Sequence, residues 1–239
     1  MQKVLDGKNA LLLDMNSTFM FGEDRFGENE DYSVYYHSIG GKLDKHELHQ
    51  VMTQAFDYLA KRYPDEAYRH CFPSVETAFL ETLDIPMDSS EVDRLIATFS
   101  YHEQGIIPAE FVEALHQLAK HFRLAAVVDI WSPSIAWRET FRQQGIEDLF
   151  GALSFSSDHG CVKPSPRPFM AVLEELAVHP KDALMIGDSV RRDLGGARAA
   201  NIDCILVGGQ EHPDALATFS DLLAFRDAVE VFGRSVQPS

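Results

Sequence analysis

The 239-residue sequence has only 3 cysteines, and their placement does not suggest a disulfide framework or a zinc site. Cys71, Cys161 and Cys204 are odd in number, widely separated and lack metal-ligand spacing, so reduced thiols are expected. Long apolar runs are also missing, because the run near the N-terminus is interrupted at Asp6 and Asp14 and none approaches the ~20 residues of a membrane span. The sequence therefore predicts a cytoplasmic protein with no membrane partner.

Basic side chains are scarce: 21 Lys and Arg stand against 37 Asp and Glu, which gives a formal net charge of −16. Such a chain repels the nucleic-acid backbone at long range, so no nucleic-acid partner is expected. A phosphorylated substrate would be repelled too, unless a metal, a lysine or helix N-termini made its site locally positive. The hydrophobic fraction of 45% is ordinary for a folded globular chain.

Short apolar runs alternate with helical patterns over most of the chain. Strands are predicted at 10–13, 123–128, 183–187 and 204–209, with a further short apolar patch at 151–155. Helices are predicted at 108–122, 135–144, 166–178 and 192–200. This alternation predicts an α/β fold with a mainly parallel, doubly wound sheet, whose ligand site lies at the carboxyl ends of the strands.

Between the first two predicted strands, the pattern is helical only. Segment 19–32 is acidic, contains glycines and has no sustained period, so it is predicted to be a loop. From about 32 to 101, apolar residues recur at helical spacing between breaks at Gly40-Gly41, Pro64, Pro73 and Pro86. We therefore predict a Rossmann-like core at 1–20 and 106–239, with a helical cap at 21–105 inserted after the first strand.

Three aspartates lie at or just beyond the ends of predicted strands. Asp14, Asp188 and Asp193 are expected to converge on one crevice, together with Lys163 from a loop. Gathered carboxylates repel one another and raise their own pKa values, so a hard divalent cation is the natural compensation, and all-oxygen ligands favour Mg²⁺. Lys163 would then oppose a substrate anion.

These residues also carry a resemblance to a known family. DMNST at 14–18, KP at 163–164 and GDSVRRD at 187–193 resemble, in the usual order, three of the four motifs of the haloacid dehalogenase-like hydrolase superfamily. The most specific piece is GDSVRRDLGGARAANI, in which the glycine, both aspartates and the helix of small residues all match together. The resemblance spans nearly the whole chain and implies a phosphatase-type member with an inserted helical cap.

The resemblance implies a hydrolase of a small phosphorylated molecule. Asp14 would attack the phosphorus to give an aspartyl-phosphate, which water then hydrolyses. Mg²⁺ would be held by the Asp14 carboxylate, the Asn16 backbone carbonyl and Asp188. Asp193 would help directly or through water, and Lys163 would neutralise charge on Asp14 and on the phosphoryl group.

The first motif departs from the family pattern at one position. Phosphatases of the family usually carry a second aspartate two positions after the nucleophile, as general acid and base, and this chain has Asn16 there. Thr18 of the same motif is kept. An amide does not release a proton near neutral pH, and a positioned acid or base typically supplies about 10²–10⁴ in rate. Binding of the metal is not affected, because that position acts through its backbone.

The second motif departs as well. The family expects a Ser or Thr whose hydroxyl binds a phosphate oxygen at the end of the second core strand, whereas this chain offers Val128 or Asp129, depending on the alignment. An ionised Asp129 facing a phosphate would be repulsive. Ser132 or Ser134, in the turn that follows, is the alternative source of a hydroxyl.

Two functional hypotheses of different classes follow. The first is a hydrolase whose substrate has a good leaving group, such as an acyl phosphate, so that a missing general acid at Asn16 matters less. The second is a catalytically impaired member that uses the metal pocket for binding or regulation. The hydrolase is the favoured hypothesis.

Two further chemistries are disfavoured. Dehalogenases of the superfamily work without Mg²⁺, so the metal-type carboxylates Asp188 and Asp193 argue against dehalogenation. Phosphonate cleavage in the family uses a Schiff-base lysine from the cap, for which the candidates are Lys42, Lys45 and Lys61.

The predicted cap supplies aromatic and cationic side chains that could contact a substrate when the cap closes. They are Arg25, Tyr32, Tyr35, Tyr36, His37, Arg62 and Arg69. Most are expected to be surface or packing residues. Trp131 and Trp137 are expected to pack in the core or at the cap hinge.

Overall fold

The computed structural model describes residues 2–83 and 88–236, and its framework is a six-stranded sheet. The strands are β1 (Ala10–Leu13), β2 (Arg123–Val128), β3 (Phe150–Phe155), β4 (Ala183–Gly187), β5 (Asp203–Leu206) and β6 (Ala217–Thr218). Their order across the sheet is β3-β2-β1-β4-β5-β6, and every neighbouring pair is parallel. This is the predicted α/β fold, with β1 in the interior of the sheet.

The central strands are apolar throughout because both faces of the sheet are covered. In β1, Leu11 and Leu13 pack into the core on one face, while Ala10 and Leu12 pack into the core on the other. All four residues are fully buried. Successive side chains of the strand therefore point into two separate hydrophobic layers, one on each face of the sheet.

Helices form the layers on either side of the sheet and the insertion after β1. In chain order they are α1 (Gln2–Leu5), α2 (Ser33–Ser38), α3 (Lys45–Arg62), α4 (Val75–Thr82), α5 (Ser89–Glu103), α6 (Ala109–Leu118), α7 (Ile135–Gln143), α8 (Ser156–His159), α9 (Pro166–Leu176), α10 (Gly195–Ala199) and α11 (Leu222–Val236). Helices α6, α7 and α11 cover one face, and α9 and α10 cover the other. No described helix combines the length and the apolar character that a membrane crossing requires.

The elements differ from the predicted ones at several places. The helix predicted at 192–200 begins with a π-helical turn, Val190–Leu194, before α10. In that turn Ser189 accepts the N–H of Arg192 through its side chain and that of Asp193 through its carbonyl. The strand β6 and the helices α1, α8 and α11 are not among the predicted elements. The strand predicted at 204–209 is observed as β5, which ends at Leu206.

Helices α2 to α5 pack around a hydrophobic core of their own, between β1 and β2 in the chain. Helix α3 begins at a capping box, in which Asp44 and Glu47 satisfy each other's backbone N–H groups. The predicted break at Pro86 lies outside the described residues. Two backbone hydrogen bonds close the insertion, from Phe21 N to Ile106 O at 2.9 Å and from Ile106 N to Phe21 O at 2.8 Å.

Candidate active site

Two aspartates follow directly from neighbouring parallel strands. Asp14 comes after β1 and donates its backbone N–H to the carbonyl of Ile186 in β4 at 2.9 Å, while Asp188 comes after β4. Parallel pairing brings the carboxyl ends of β1 and β4 to one edge of the sheet. Asp193, in the π-helical turn, completes a group of three, in which one carboxylate oxygen from each residue lies within 4.8 Å of the others.

A buried lysine joins two of these carboxylates. Lys163 Nζ donates to Asp14 Oδ1 and to Asp193 Oδ1, at 2.7 Å each. Lys163 is 3% exposed and Asp193 is 0% exposed. The second oxygen of Asp193 accepts the backbone N–H of Ser189 at 2.9 Å. The lysine therefore lies where the sequence predicts it, against the candidate nucleophile.

Burial and mutual repulsion set the charge state of this group. Desolvation raises the pKa of Asp14, Asp188 and Asp193, and the Lys163 ammonium opposes the rise at each of them. Desolvation would lower the pKa of Lys163, but the carboxylates of Asp14, Asp193 and Asp129 outweigh it and raise that pKa above its usual range. The lysine is therefore held charged.

The residues present fit a hard divalent cation. Lys163 takes one oxygen of Asp14, which leaves the other for a ligand, and Asp188 has a carboxylate in the same group. Both Asp193 oxygens already accept hydrogen bonds, so this residue suits a supporting role through water. The N–H groups of residues 18–20 all donate to the Met15 carbonyl, and none of them uses that of Asn16. Carboxylate and carbonyl oxygens are the ligands that Mg²⁺ prefers.

A cavity of about 170 Å³ opens beside the candidate nucleophile. The acidic residues among its described lining are Asp14, Glu23, Asp24, Glu103, Asp129 and Asp188. Lys163 and Arg192 supply positive charge. The wall is therefore strongly acidic, which suits a bound cation. The small volume of the cavity leaves room only for a small substrate.

The structure distinguishes between Val128 and Asp129 at the end of β2. Val128 is buried in the core, whereas Asp129 lines the cavity. Its carboxylate accepts the phenol of Tyr63 at 2.8 Å and the backbone N–H of Lys163 at 3.1 and 3.2 Å. Desolvation raises the pKa of Asp129, and Lys163 is the main opposing influence.

The expected hydroxyls do not reach the cavity. Ser132 and Thr18 are buried, do not line the cavity, and their hydroxyls have no hydrogen-bond partner among the described residues. Ser134 donates its hydroxyl to Asp158 at 2.8 Å. Ser132 is fully buried, and its own backbone N–H donates to Glu103 Oε2 at 2.9 Å. The predicted contact of Ser132 with substrate is thus not supported by its position.

The insertion places different side chains at the cavity from those predicted. The seven aromatic and cationic residues that the sequence offered for substrate contact, Arg25, Tyr32, Tyr35, Tyr36, His37, Arg62 and Arg69, are not among the described residues that line the cavity. Lys42, Lys45 and Lys61 are not among them either. Arg62, for example, lies over the Tyr58 ring at 3.4 Å. The three lysines that were candidates for a Schiff base thus lie outside the described lining of the cavity.

Six lining residues besides Trp131 were not predicted from the sequence. They are Ser17, Glu23, Asp24, Tyr63, Glu103 and Arg192. Arg192 lies within the GDSVRRD motif, and its guanidinium sits 5.1 Å from the centre of the Tyr63 ring. Ser17 lies within the DMNST motif. Position in a motif was thus an available signal for Ser17 and Arg192, but not for the other four residues. Trp131, expected at the core or hinge, packs on Phe56 of the insertion and also lines the cavity.

Comparison with known proteins identifies the family. The model of the haloacid dehalogenase-like hydrolase family matches residues 8–201. That span is well over half of the chain, and it contains all the motifs around the cavity. The chain belongs to the haloacid dehalogenase-like hydrolase family, as its motifs predict.

Curated relatives of this chain are phosphatases. Phosphoserine phosphatase of Thermus thermophilus is 28% identical over 67% of this chain and 64% of its own length. Phosphoglycolate phosphatase of Yersinia pestis is 36% identical over 33% of this chain and 38% of its own. Phospholysine phosphohistidine inorganic pyrophosphate phosphatase of Xenopus laevis is 39% identical over 23% of each chain. The chain thus aligns with less than two thirds of the length of each.

Solved structures share the fold over their whole length. A 2-haloacid dehalogenase from Pseudomonas syringae pv. Tomato has a TM-score of 0.63 at 20% identity and covers 96% of this chain and 100% of its own. A phosphatase of the same family from Thermococcus onnurineus has a TM-score of 0.61 at 21% identity, and the match covers 92% of this chain and 97% of that structure. At such identities the likeness shows the fold alone.

Proposed function

We propose that this protein is a Mg²⁺-dependent phosphohydrolase that acts on a small phosphorylated molecule through an aspartyl-phosphate at Asp14. One observation carries the proposal: the Asp14 carboxylate lies at the carboxyl end of strand β1, next to Lys163 and Asp188. Lys163 Nζ is 2.7 Å from one oxygen of Asp14, and Asp188 belongs to the same cluster of carboxylates. The phosphatase names of the curated relatives support a phosphorylated substrate.

Lys163 prepares the nucleophile. Burial raises the pKa of Asp14, and the ammonium of Lys163 acts against that rise. The hydrogen bond from Lys163 Nζ to Asp14 Oδ1 fixes the carboxylate in orientation. One of its oxygens attacks the phosphorus and the bond to the leaving oxygen breaks. Water then attacks the phosphorus of the aspartyl-phosphate, which releases inorganic phosphate and restores Asp14.

Asp14, Asp188 and the carbonyl of Asn16 would hold Mg²⁺, with Asp193 supporting it through water. When bound, Mg²⁺ neutralises phosphoryl charge and orients the phosphoryl group for in-line attack. This positive charge is needed because the cavity wall is dominated by carboxylates. The same wall would otherwise repel the substrate.

The insertion, assigned to 21–105 between core segments 1–20 and 106–239, would act as a cap. It contributes Tyr63, Asp24 and Glu103 to the cavity wall. Side chains from two separately packed units thus enclose one small space, which excludes water from the reacting phosphorus. A cavity of about 170 Å³ limits the substrate to a phosphoryl group with a short organic part.

Turnover of p-nitrophenyl phosphate and of acetyl phosphate tests the proposal. It is measured with Mg²⁺ and with a chelator, for the parent, for Asp14→Asn and for Asp148→Asn. Asp148 is exposed and does not line the cavity, so it serves as the matched control. We expect turnover to disappear with the chelator and in Asp14→Asn, and to persist in Asp148→Asn. Mass spectrometry of quenched reactions should find one phosphoryl group on the Asp14 peptide.

The second candidate function is that of a catalytically impaired member with a binding or regulatory role. It is favoured by the presence of Asn16 at the position where phosphatases of the family carry the general acid. If neither compound is hydrolysed by protein whose melting temperature rises with Mg²⁺, the metal pocket is intact and the hydrolase proposal fails. Turnover that survives in Asp14→Asn would also overturn it, because that side chain would then not be the nucleophile.

A further inference from the structure

The two segments that connect the insertion to the core run side by side at the cavity. Beyond the bonds between Phe21 and Ile106, Asp24 N donates to Glu103 O at 3.1 Å and Arg25 N donates to His102 O at 2.8 Å. This pairing brings two acidic residues, Asp24 and Glu103, next to each other. Both line the cavity that contains Asp14 and Asn16.

The backbone at Asp24 is held in place from both sides. The Arg25 guanidinium donates to the carbonyl of Gln104 at 2.9 Å and also to that of Tyr101, which ties the first connecting segment to the second. Asp24 itself adopts φ +55°, in the left-handed region that Asp and Asn tolerate better than other side chains. The position of its carboxyl group is therefore set by main-chain contacts.

The two acidic side chains differ in what they bind. Glu103 is 3% exposed, and its two oxygens accept the backbone N–H groups of Trp131 and Ser132. It is therefore committed as an acceptor that positions the loop after β2. Asp24 lines the same cavity, and its carboxyl group has no hydrogen bond or ion pair to any described side chain. It is free to exchange a proton with a bound molecule.

The surroundings of Asp24 favour proton exchange near neutral pH. Desolvation by the cavity wall raises the pKa of Asp24 to about 6, the neighbouring Glu23 carboxylate adds to the rise, and Arg192 opposes it. Asp24 as a whole residue is exposed to solvent, so its proton can be replaced from bulk water. A carboxyl group in this range is present in both protonation states under physiological conditions, which is what a general acid and base requires. The amide of Asn16 has no such proton to give.

We propose that Asp24 is the proton donor that replaces the family's acidic residue at the position of Asn16. This rests on the function proposed above. In the first step, a bond forms between Asp14 and phosphorus, the bond from phosphorus to the leaving oxygen breaks, and the Asp24 carboxyl proton goes to that oxygen. In the second step, the Asp24 carboxylate takes a proton from water as the water oxygen bonds to phosphorus and the bond to Asp14 breaks.

The dependence of turnover on the leaving group tests this role. Phenyl phosphate and p-nitrophenyl phosphate have nearly the same shape, but the phenol needs a proton to depart and the nitrophenol needs it much less. We expect Asp24→Asn to lower kcat on phenyl phosphate by about 10²-fold or more, with a much smaller effect on p-nitrophenyl phosphate. Glu28→Gln, in the same segment and outside this cavity, should change neither.

Restoring an acid at the family's position gives the second arm of the test. The double variant Asp24→Asn with Asn16→Asp should recover turnover of phenyl phosphate. Asn adopts the left-handed conformation as readily as Asp, so Asp24→Asn should fold. An equal loss on both phosphates, or no loss on either, would overturn the role of Asp24 while leaving the hydrolase proposal standing. A parent protein that hydrolyses neither compound with Mg²⁺ present would overturn both proposals.

Discussion

The phenol of Tyr63 donates a hydrogen bond to Oδ2 of Asp129 at 2.8 Å. Tyr63 directly follows helix α3 of the insertion, and Asp129 directly follows strand β2 of the core, so the bond joins the two units beside the cavity. The carboxylate also accepts the backbone N–H of Lys163. Asp129 is therefore engaged by protein donors at the position where relatives are expected to carry a hydroxyl for phosphate, and we infer that it fixes the cavity wall.

Replacing this phenol should destabilise the protein. Tyr63→Phe leaves the ring in place but removes one of the donors of a desolvated carboxylate. We expect the free energy of unfolding to fall by about 1–3 kcal/mol, the cost of an unsatisfied buried polar group. Urea denaturation of the parent, Tyr63→Phe and Tyr58→Phe measures it, with Tyr58 as a control outside this cavity. A Tyr63→Phe protein as stable as Tyr58→Phe would show that the bond contributes nothing.

Removing the buried ammonium should be more costly. Lys163 lies between Asp14 and Asp193, and Lys163→Met leaves both carboxylates buried without a counter-charge. We expect a loss of about 3–5 kcal/mol in the free energy of unfolding, together with loss of turnover. Lys45→Met is the control, because the Lys45–Asp31 pair is exposed and should change stability little. Unfolding of the two variants at the same urea concentration would contradict this expectation.

Stability should depend on pH through Glu103. Burial raises the pKa of Glu103 from 4.5 to about 7, although the hydrogen bonds from Trp131 and Ser132 act against the rise. Between these values the folded protein binds more protons than the unfolded chain, so the free energy of unfolding falls as pH rises from 4.5 to about 7.

Unfolding in urea with a chelator, at both ends of that pH range, measures this contribution. Glu103→Gln removes the titrating group, so its stability should fall less than that of the parent as pH rises. Glu139→Gln, at an exposed salt bridge, should keep the parent's pH dependence. Identical pH dependence in the parent and in Glu103→Gln would contradict the proposed cause.

The sequence predicts the sheet well where strands are buried on both faces. The predicted runs 10–13, 123–128 and 183–187 coincide with β1, β2 and β4, because continuous apolar residues between polar neighbours leave little freedom in where a strand begins and ends. Helix α11 and strand β6 were not predicted. The short strand β6, at the edge of the sheet, has only two residues and no apolar run to mark it.

Part of the candidate site follows from the same local patterns. Asp14 and Asp188 come directly after apolar strands, so parallel pairing alone brings them together. Lys163 and Asp193 join them through the loop and the turn that the motifs mark. The direction of the Ser132 side chain could not be predicted, since it depends on which distant carboxylate accepts its backbone N–H.

By itself, then, the sequence determined the parallel sheet and the cluster of carboxylates around one lysine, because both depend on where apolar strands end. Only the tertiary structure decided that Tyr63, Asp24 and Glu103 face the same cavity. These three residues lie far apart along the insertion and its connecting segments, and no local pattern marks them. They meet because the insertion packs on the core in one orientation, with its connecting segments hydrogen-bonded to each other beside the nucleophile.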